Sequence, residues 1–356
     1  MKSNAIIATT RRYDRWLTTQ TSVVKADVAV KHERMAQSAF LFLRATYYWW
    51  VSRWPHTLPE LAGAPLVHGI GDLHMENFGT WRDAEGRLVW GINDFDEAHT
   101  VPYTNDLVRL ATSVVLAARS RQLRVSAQEA CDSILEGYAL SLARGGWPIV
   151  LAERRRWLRS IAIAQLKDPD AFWQKMRAGT GCAVGDYPAK AIRDALPDRR
   201  LEHVVHRRRA GVGSLGRPRF VAIAVQGGGH IARELKAVVP SAQAWANGTT
   251  ASRSAVPWLL ANAVRVPDPV YLVTPKWVTR RLAPDCGKLD ISELTEPRDQ
   301  SRLLRAMGKE AANIHLAGPT RTVIADLERR PKGWLHDAAA QMATVMTADW
   351  KAWQRR

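Results

Sequence analysis

The chain has little of the features that identify disulfide-rich, zinc-binding or membrane proteins. It has three widely separated cysteines, Cys131, Cys182 and Cys286, and no C-x-x-C pair, so neither a disulfide framework nor a cysteine-based zinc site is expected. It has no run of 18 apolar residues that would indicate a transmembrane helix, and no apolar N-terminal core typical of a signal peptide. Internal repeats and low-complexity segments are also absent. The sequence therefore predicts a cytoplasmic globular protein without membrane insertion.

Charge of one sign is in excess. The chain has 51 Lys and Arg against 34 Asp and Glu, which gives a formal net charge of +17. A basic surface attracts anions such as nucleotides, nucleic acid or acidic lipid, although it can also be only a solvated basic face. At 356 residues the chain is long enough for two domains or lobes. An anionic partner is therefore one expectation, with a nucleotide as the first candidate.

Residues 68–97 contain the most informative pattern in the chain. Two short apolar runs, 78–82 and 88–92, flank turn residues and predict a β-hairpin. Asp72 precedes the hairpin and Asp94 follows it, so the two carboxylates and Asn77 can converge at the open end. Hard oxygen ligands of this kind suit Mg²⁺ held together with phosphate. The alternative is a polar hairpin whose carboxylates are satisfied by structural contacts.

The spacing within this stretch resembles that of kinases. Asp72 and Asn77 reproduce the D-x-x-x-x-N of the catalytic loop. The segment GDLHMEN is similar to the H-G-D-x-H-x-x-N of aminoglycoside and other small-molecule phosphotransferases, and NDFDEA resembles their I-D-[FW]-x-x-A. The resemblance implies that Asp72 orients or deprotonates an acceptor hydroxyl and that Asn77 and Asp94 bind the metal. It also implies that Asp106, in YTNDLVRLA, buttresses the catalytic loop.

Three further residues are candidates for supporting roles. His74 either holds the loop as a hydrogen-bonded bystander or is itself the acid/base, with Asp72 orienting it. Arg44, within a helix predicted over 31–53, either pairs with a phosphate or carboxylate or is an ordinary salt-bridged arginine. Asp96 lies two residues beyond Asp94 in the second motif.

A second informative stretch spans residues 204–239. The segment GVGSLG contains the candidate nucleotide-binding residues Gly211, Gly213, Ser214 and Gly216, since glycines let backbone N–H groups approach phosphate oxygens. Predicted strands over 220–225 and 231–238 follow, and the second contains Lys236. In kinases a Gly-rich loop and a strand lysine cover the ATP phosphates. The alternative for G-x-G-x-x-G alone is a plain glycine turn.

Lys236 lacks the partner that a kinase lysine normally has. No Asp or Glu occurs between Lys236 and Pro267, whereas a kinase provides a Glu on the following helix. Either Lys236 is held another way, by Asp94 and phosphate, or nucleotide binding is atypical.

Elsewhere the sequence predicts a simple order of elements. Residues 1–30 are interpreted as an extended arm leading into a short helix, and residues 168–200 as the connection between lobes. Helices are predicted over 107–121, 126–144, 149–167 and 299–316, and a hairpin over 270–274 and 277–282.

The kinase-like motifs occur in a rotated order. The catalytic loop comes first, and the Gly-rich loop, the Lys strand and a helix ending in Ile-His follow. The sequence therefore predicts an α+β, two-lobed, circularly permuted protein-kinase-like fold. Its parts are a helical catalytic lobe (1–200), a β-rich nucleotide lobe with an antiparallel sheet (201–290) and C-terminal helices returning to the first lobe (291–356). Over about residues 36–320 the chain also resembles an uncharacterised bacterial family with GDxHxxNF and NDFDE motifs.

The function implied is phosphoryl transfer that depends on ATP and Mg²⁺. The acceptor would be a hydroxyl of a small molecule or peptide. Two alternatives stay open: a non-catalytic pseudokinase that binds nucleotide or nucleic acid, and an adenylyl transferase on the same fold.

Overall fold

The computed structural model describes residues 5–120, 122–151, 155–249 and 255–356. Within these residues, helices are combined with a β1–β4 pair (Leu66–Gly69 and His99–Pro102), a β2–β3 pair (Phe78–Arg82 and Leu88–Ile92) and one five-stranded sheet, all antiparallel. The prediction of mixed α and β structure with an antiparallel sheet is confirmed.

The N-terminal region is helical. Its helices are α1 Ala5–Gln20, α2 Lys25–Gln37, α3 Ala39–Ala45, α4 Tyr47–Thr57 and α5 Pro59–Ala62. The extended arm predicted over 1–30 is wrong for the described residues, and residues 1–4 lie outside them. Ile6, Tyr13 and Leu17 form a buried stripe on α1 that the polar Thr10 interrupts in the sequence.

The single helix predicted over 31–53 is divided into three. Ser38 is in an extended conformation between α2 and α3, and its Oγ accepts a hydrogen bond from the Leu41 N–H at 3.1 Å. A serine in this position ends one helix and caps the next. The second break comes at Thr46, and α4 then runs past Pro55 to Thr57.

The predicted hairpin is confirmed with the predicted strand limits, 78–82 and 88–92. Because β1 pairs with β4, this hairpin is nested inside a second antiparallel pair. The loops that follow β1 and β3 meet where the Asn93 N–H donates to the Asn77 carbonyl oxygen at 3.0 Å. This nesting brings the two motif loops side by side.

Two long helices follow the hairpins. They are α6 Tyr103–Arg119 and α7 Ala127–Ala143, close to the predicted limits, with Ser126 capping α7 as expected; Arg121 lies outside the described residues. Helix α6 is buried from Tyr103 to Ala117 and lies at the centre of the helical core.

The five-stranded sheet is built from the second half of the chain. Its strands are β5 His203–Arg207, β6 Arg219–Gln226, β7 Gly229–Ala237, β8 Leu272–Val273 and β9 Trp277–Leu282, and they are arranged in the order β5-β6-β7-β9-β8. Three helices precede the sheet in the sequence: α8 Arg156–Ala164, α9 Pro169–Arg177 and α10 Asp186–Ala195. Two more lie between β7 and β8: α11 Ala242–Ala246 and α12 Val256–Asn262. The strands predicted over 220–238 are confirmed, and the hairpin over 270–282 is present with a shorter first strand.

Helices α9 and α10 cover the two faces of the sheet. Phe172 of α9 packs with Val221, and Ile192 of α10 packs with Phe220, its neighbour on β6. Side chains of consecutive strand residues point to opposite faces, so the helices lie on opposite sides. Residues 168–200, predicted as the connection between lobes, therefore contain two helices that pack with the sheet. The helix predicted over 149–167 is confined to α8, and residues 152–154 lie outside the described part.

The C-terminal segment rejoins the helical core. It contains a 3-10 helix, Ile291–Glu293, and the helices α13 Pro297–His315, α14 Thr320–Arg329 and α15 Trp334–Gln354. Helix α13 crosses α7 closely, because a Cβ at Gly137 or Gly308 would lie 1.9 Å from a backbone carbonyl of the other helix. In the described part of the chain, no helix has the length and apolarity to cross a membrane.

Candidate functional site

A cavity of about 410 Å³ lies where the sheet, the nested hairpins and the N-terminal helices meet. Its lining contains most of the residues singled out in the sequence: Arg44, Asp72, His74, Asn77, Asp94, Asp96, Gly211, Gly213 and Ser214. Lys236 and Asp106 lie behind this lining and contact residues that form it, and Gly216 directly precedes the lining residue Arg217. The structure thus brings together two motif regions that are more than a hundred residues apart in the sequence.

The loop that carries Asp72 is fixed from below by helix α6. Asp106 accepts hydrogen bonds from the backbone N–H groups of Ile70 and Gly71 at 2.7 and 2.9 Å. Gly71 has a φ of 78°, and a Cβ there would lie 2.4 Å from the Glu97 carbonyl oxygen, so only glycine fits. The turn before Asp72 is therefore rigid.

A second contact reaches Asp106 from helix α13. His315 Nε2 lies 2.9 Å from Asp106 Oδ2, and the Tyr138 hydroxyl lies 2.8 Å from His315 Nδ1. Asp106 and His315 are both fully buried. This chain of hydrogen bonds attaches the loop to two helices that are distant in the sequence.

Asp72 is paired with an arginine that the sequence analysis did not identify. Arg109 Nε donates to Asp72 Oδ1 at 2.8 Å, and Arg109 Nη2 donates to Oδ1 and to the Leu43 carbonyl oxygen. The guanidinium is fully buried between the rings of Tyr47 and Trp50. Arg109 lies three residues after Asp106 on α6, the spacing that puts both on one helix face, and this spacing was the available signal.

The other carboxylate oxygen of Asp72 lies on the cavity side. A Cβ at Gly213 would be 3.6 Å from Asp72 Oδ2 and 3.0 Å from the Arg44 carbonyl oxygen. Burial raises the pKa of Asp72 to about 7, against the opposing effect of Arg109, with smaller contributions from Glu97 and Asp94. A carboxylate with a pKa near 7 is suited to accept a proton at neutral pH.

His74 is placed as a loop residue. Its Nδ1 accepts a hydrogen bond from the Glu76 N–H at 3.2 Å, and its carbonyl oxygen accepts one from the Asn77 N–H at 2.9 Å. Burial, together with Arg44 and Lys288, lowers the pKa of His74 well below its ordinary value, so the ring is neutral. The carboxylate of Asp72 bonds to Arg109 and not to His74 within the described contacts.

Asn77 and Asp94 have free oxygens suited to a cation. Asn77 Nδ2 donates to the Asp72 carbonyl oxygen at 3.0 Å, while Asn77 Oδ1 is buried without a hydrogen-bond partner in the described structure. The Asp94 side chain is 42% exposed, and among the described residues it makes two contacts of 3.4 Å, both through Oδ1, with Lys236 Nζ and with the Asp96 N–H. An orphaned amide oxygen beside a half-open carboxylate fits Mg²⁺.

The number of protein ligands fits this ion as well. Within the described residues no group of three His, Cys, Asp or Glu side chains is arranged to hold a metal ion alone. Mg²⁺ is commonly held by one or two carboxylates together with waters and substrate phosphates rather than by a complete protein cage. Burial acts to raise the pKa of Asp94, but Lys236, Arg280 and Arg219 outweigh it and keep the carboxylate ionised.

Lys236 finds its partner in the second motif. Its Nζ lies 2.6 Å from Asp96 Oδ2 and 3.4 Å from Asp94 Oδ1, and its side chain is 4% exposed. The sequence suggested Asp94 as a partner and placed Asp96 only among the supporting residues. Asp96 is the closer of the two, so Lys236 has a carboxylate partner although no Asp or Glu follows it before Pro267.

The Gly-rich segment is a turn that lies over Asp72. Gly211 and Gly216 have φ values of 72° and 97°, which glycine adopts without strain. Ser214 Oγ accepts a hydrogen bond from Arg219 Nη2 at 2.6 Å, which ties the loop to β6. The Gly216 carbonyl oxygen accepts from the Val24 N–H at 2.9 Å, which ties the other end to α2.

Three arginines surround one buried glutamate in the wall formed by the sheet. Glu234 is fully buried and pairs with Arg219 at 2.7 Å, with Arg280 at 2.6 Å and with Arg208. Burial opposes ionisation of Glu234, but these three charges hold its pKa well below the ordinary range. All three arginines also line the cavity. One negative charge against three positive ones leaves this wall cationic.

The sequence offered only a weak signal for this cluster. Glu234 and Lys236 alternate with apolar residues on β7, and the pairing register places Arg280 opposite Glu234 and Arg219 opposite Lys236. Alternation indicates that the two charges share a face, but the identity of the cross-strand partners depends on register.

Arg44 makes a protein contact. Its Nη1 lies 2.9 Å from Glu76 Oε2, and Lys288 Nζ lies 3.2 Å from the same oxygen. The alternative of a salt-bridged arginine therefore describes the contact seen, at a position on the cavity wall.

Comparison with known proteins gives a family but no activity. No curated protein and no solved structure matches the chain. The family described as "Uncharacterized protein conserved in bacteria (DUF2252)" matches residues 23–148, a range that covers Asp72, Asn77, Asp94 and Asp106 but not the Gly-rich segment or Lys236. The resemblance to an uncharacterised bacterial family is thereby confirmed. Residues 23–148, about a third of the chain, are thus similar to this uncharacterised bacterial family, DUF2252.

Proposed function

We propose that the protein is an ATP- and Mg²⁺-dependent phosphotransferase that acts on a hydroxyl group. The observation that carries the proposal is the meeting of Lys236 with Asp94 and Asp96, and of Gly213 with Asp72, in one cavity. Each of these contacts joins the stretch 68–97 to the stretch 204–239. A kinase site requires the same elements: a catalytic-loop Asp and Asn, a metal-binding Asp, a Gly-rich loop and a lysine on the third strand.

The order of the sheet supports a kinase-like nucleotide lobe. The Gly-rich segment lies between the first and second strands, β5 and β6, and Lys236 lies on the third, β7. Two short helices then precede the last two strands. This agrees with the described position of the Gly-rich loop and the β3 lysine in protein kinases.

The contact of α13 with the catalytic loop supports a circular permutation. His315, at the C-terminal end of α13, bonds to Asp106 beneath the loop. Three residues later, a Cβ at Gly318 would lie 3.7 Å from the Cα of Val67 in β1. The chain that leaves α13 therefore passes beside the strand that leads into the Asp72 loop. In an unpermuted chain the helix and this strand would be consecutive.

Each residue then has a definite role. Asp72 Oδ2 accepts the proton of the acceptor hydroxyl while Arg109 holds Oδ1, the acceptor oxygen bonds to the γ-phosphorus, and the bond from that phosphorus to ADP breaks. Asn77 and Asp94 would hold Mg²⁺, which neutralises phosphate charge when bound. Lys236 and the arginines around Glu234 supply fixed positive charge, which is the main requirement of phosphoryl transfer.

Adenylyl transfer and nucleotide binding without turnover use the same cavity and are outcomes of one test. Purified protein is incubated with Mg²⁺, ATP and a cell extract that supplies candidate acceptors, and the products are examined by mass spectrometry. We expect one small molecule or peptide to gain a phosphoryl group, and no gain with Asp72→Asn. A gain of an adenylyl group would support the transferase alternative. No product in any extract, with ATP bound, would support the pseudokinase.

A further inference from the structure

The lining of the cavity is more basic than a nucleotide site alone explains. Among the described residues, ten Lys and Arg side chains line it against six Asp and Glu side chains. Part of this excess positive charge belongs to the three arginines around Glu234 in the sheet wall. The phosphates of a nucleotide would neutralise them. The wall formed by the N-terminal helices has a separate basic residue, Lys31 of α2, which has no role in the proposed transfer reaction.

Lys31 is a buried cation without an anionic partner. Its residue is 3% exposed, and its Nζ lies over the rings of Tyr13 and Tyr48, 5.7 and 5.4 Å from their centroids. Within the described part of the chain, Nζ makes no hydrogen bond and no salt bridge. An ammonium group carries three donors, and burying it without acceptors is costly. Burial accordingly lowers the pKa of Lys31 to about 8.

The arginines near Asp72 each form an ion pair. Arg44 pairs with Glu76 at 2.9 Å, and Arg217 pairs with Glu97 at 2.9 Å. Arg109 pairs with Asp72 itself. Unlike these arginines, Lys31 has no ion pair within the described residues, and it lines the same cavity as Asp72.

The position of Lys31 places it beside the Gly-rich segment. Helix α2 begins where the Val24 N–H donates to Gly216, and Val28 packs so closely that a Cβ at Gly216 would lie 2.7 Å from its Cγ2. Lys31 is one helical turn beyond Val28 and so projects from the same side of α2. The Lys31 ammonium thus lies in the wall formed by the N-terminal helices, and among the described residues no contact joins it to the arginine cluster of the sheet.

We propose that the acceptor carries an anionic group, a carboxylate or a phosphate, that pairs with Lys31 while its hydroxyl is presented to Asp72. The inference rests on the proposed function and names its substrate class: a hydroxylated anion. In the reaction the acceptor oxygen forms a bond to the γ-phosphorus of ATP, ADP leaves, and the hydroxyl proton passes to Asp72. The Lys31 ion pair is unchanged throughout, so it contributes to acceptor binding. A polyamine acceptor such as an aminoglycoside would be repelled.

Calorimetry with matched probes tests the proposal. The probes are glycerol, glycerate and glycerol 3-phosphate, which share a hydroxylated three-carbon chain, and kanamycin as a cationic polyol. Each is titrated into protein saturated with Mg²⁺ and a non-hydrolysable ATP analogue, so that the nucleotide fills the arginine-lined wall. We expect one or both anions to bind more tightly than glycerol or kanamycin, and the stronger of the two identifies the group as carboxylate or phosphate.

Variants then assign the preference to Lys31. Lys31→Met should weaken anion binding by about tenfold to a hundredfold, leave glycerol unaffected and retain the wild-type unfolding temperature. Lys31→Arg should keep part of the preference. Lys25→Met, on the exposed side of the same helix, is the matched control and should behave as wild type. Anions that bind no better than glycerol, or equally well to Lys31→Met, would overturn the proposal.

Binding of the ATP analogue tests the proposed function separately from the Lys31 site. Failure of the ATP analogue to bind would refute the proposed function alone. The same anion titrations on nucleotide-free protein, compared between wild type and Lys31→Met, would still support or overturn the Lys31 site.

Discussion

The two walls of the cavity treat charge differently. In the helical wall each carboxylate has its own partners. Asp72 pairs with Arg109, and Asp106 accepts hydrogen bonds from the backbone of the loop. In the sheet wall, one carboxylate, Glu234, holds three arginines and leaves a positive surplus. In the proposed function, the first wall orients Asp72 as the proton acceptor, and the second provides positive charge for the phosphates. Phosphoryl transfer requires both functions and little covalent chemistry from the protein.

The difference also separates chemistry from stability. Asp72 keeps one oxygen free on the cavity side, so its replacement should affect the reaction more than the fold. Glu234 has no exposure and serves to hold neighbouring charges together, so its replacement should affect the fold first. The predictions below test this separation, beginning with the largest effect.

The largest expected effect is that of Asp72→Asn on turnover. Loss of the proton acceptor should reduce phosphoryl transfer by about a hundredfold to ten-thousandfold, with ATP affinity nearly unchanged, because the role is realised in the transition state. Single-turnover kinetics and nucleotide calorimetry on the same preparation measure the two quantities. Full turnover on the true acceptor would show that the catalytic assignment is wrong.

In the sheet wall the corresponding change is Glu234→Gln. The variant removes the negative charge that three arginines share and should lower the free energy of unfolding by about 3–5 kcal/mol. Denaturant titration measures the loss. Glu202→Gln, an exposed position just before β5, is the control and should stay within about 0.5 kcal/mol of wild type. If Glu234→Gln is as stable as its control, the arginine cluster is not a structural unit.

The next prediction concerns the pH dependence of turnover, which should follow the titration of Asp72 in the helical wall. Because burial raises the pKa of Asp72 to about 7, the base is protonated below that pH and ionised above it. The transfer rate should therefore fall about tenfold per pH unit below pH 7 and level off above it. The residual activity of Asp72→Asn should lack this acidic limb. An acidic limb that persists in the variant would assign it to another group.

The smallest expected effect belongs to His74→Ala. His74 is neutral and hydrogen-bonded within its loop, so its loss should cost about 1–3 kcal/mol of stability and only a mild reduction in turnover. Comparison with Asp72→Asn and with the double variant gives the measurement. Equal losses for both single variants, with no further loss in the double variant, would instead favour a His74–Asp72 catalytic pair.

The sequence was most informative where function and structure share a short segment. Asp72, Asn77 and Asp94 flank one hairpin, so turn residues and local spacing were enough to predict their convergence. The mixed fold and the strands around Lys236 were predicted for the same reason, since alternation and glycine turns are local signals.

The sequence was least informative where partners come from distant elements. Arg109 reaches Asp72 from α6, and the arginines around Glu234 come from three strand regions whose register no local pattern specifies. Lys31 began the helix predicted over 31–53, but no local pattern indicated that its ammonium lines a cavity. The arm predicted over 1–30 was wrong because Thr10 interrupts the apolar stripe of α1 and weakens the helical signal. The packing of α9 and α10 on the sheet was not predicted either, because their own sequences do not reveal which element they cover.

The central claim is that the two walls hold the phosphates of a nucleotide between them with Mg²⁺ at Asn77 and Asp94. Calorimetric titration of ATP into the wild-type protein and Asp94→Ala, each with Mg²⁺ and with a chelator, tests it most directly. We predict Mg²⁺-dependent binding to the wild type, and loss of that dependence in Asp94→Ala with an unchanged unfolding temperature, because Asp94 is half-exposed and makes only two long contacts. Absence of ATP binding to the wild type, or the same Mg²⁺ dependence in Asp94→Ala, would contradict the account.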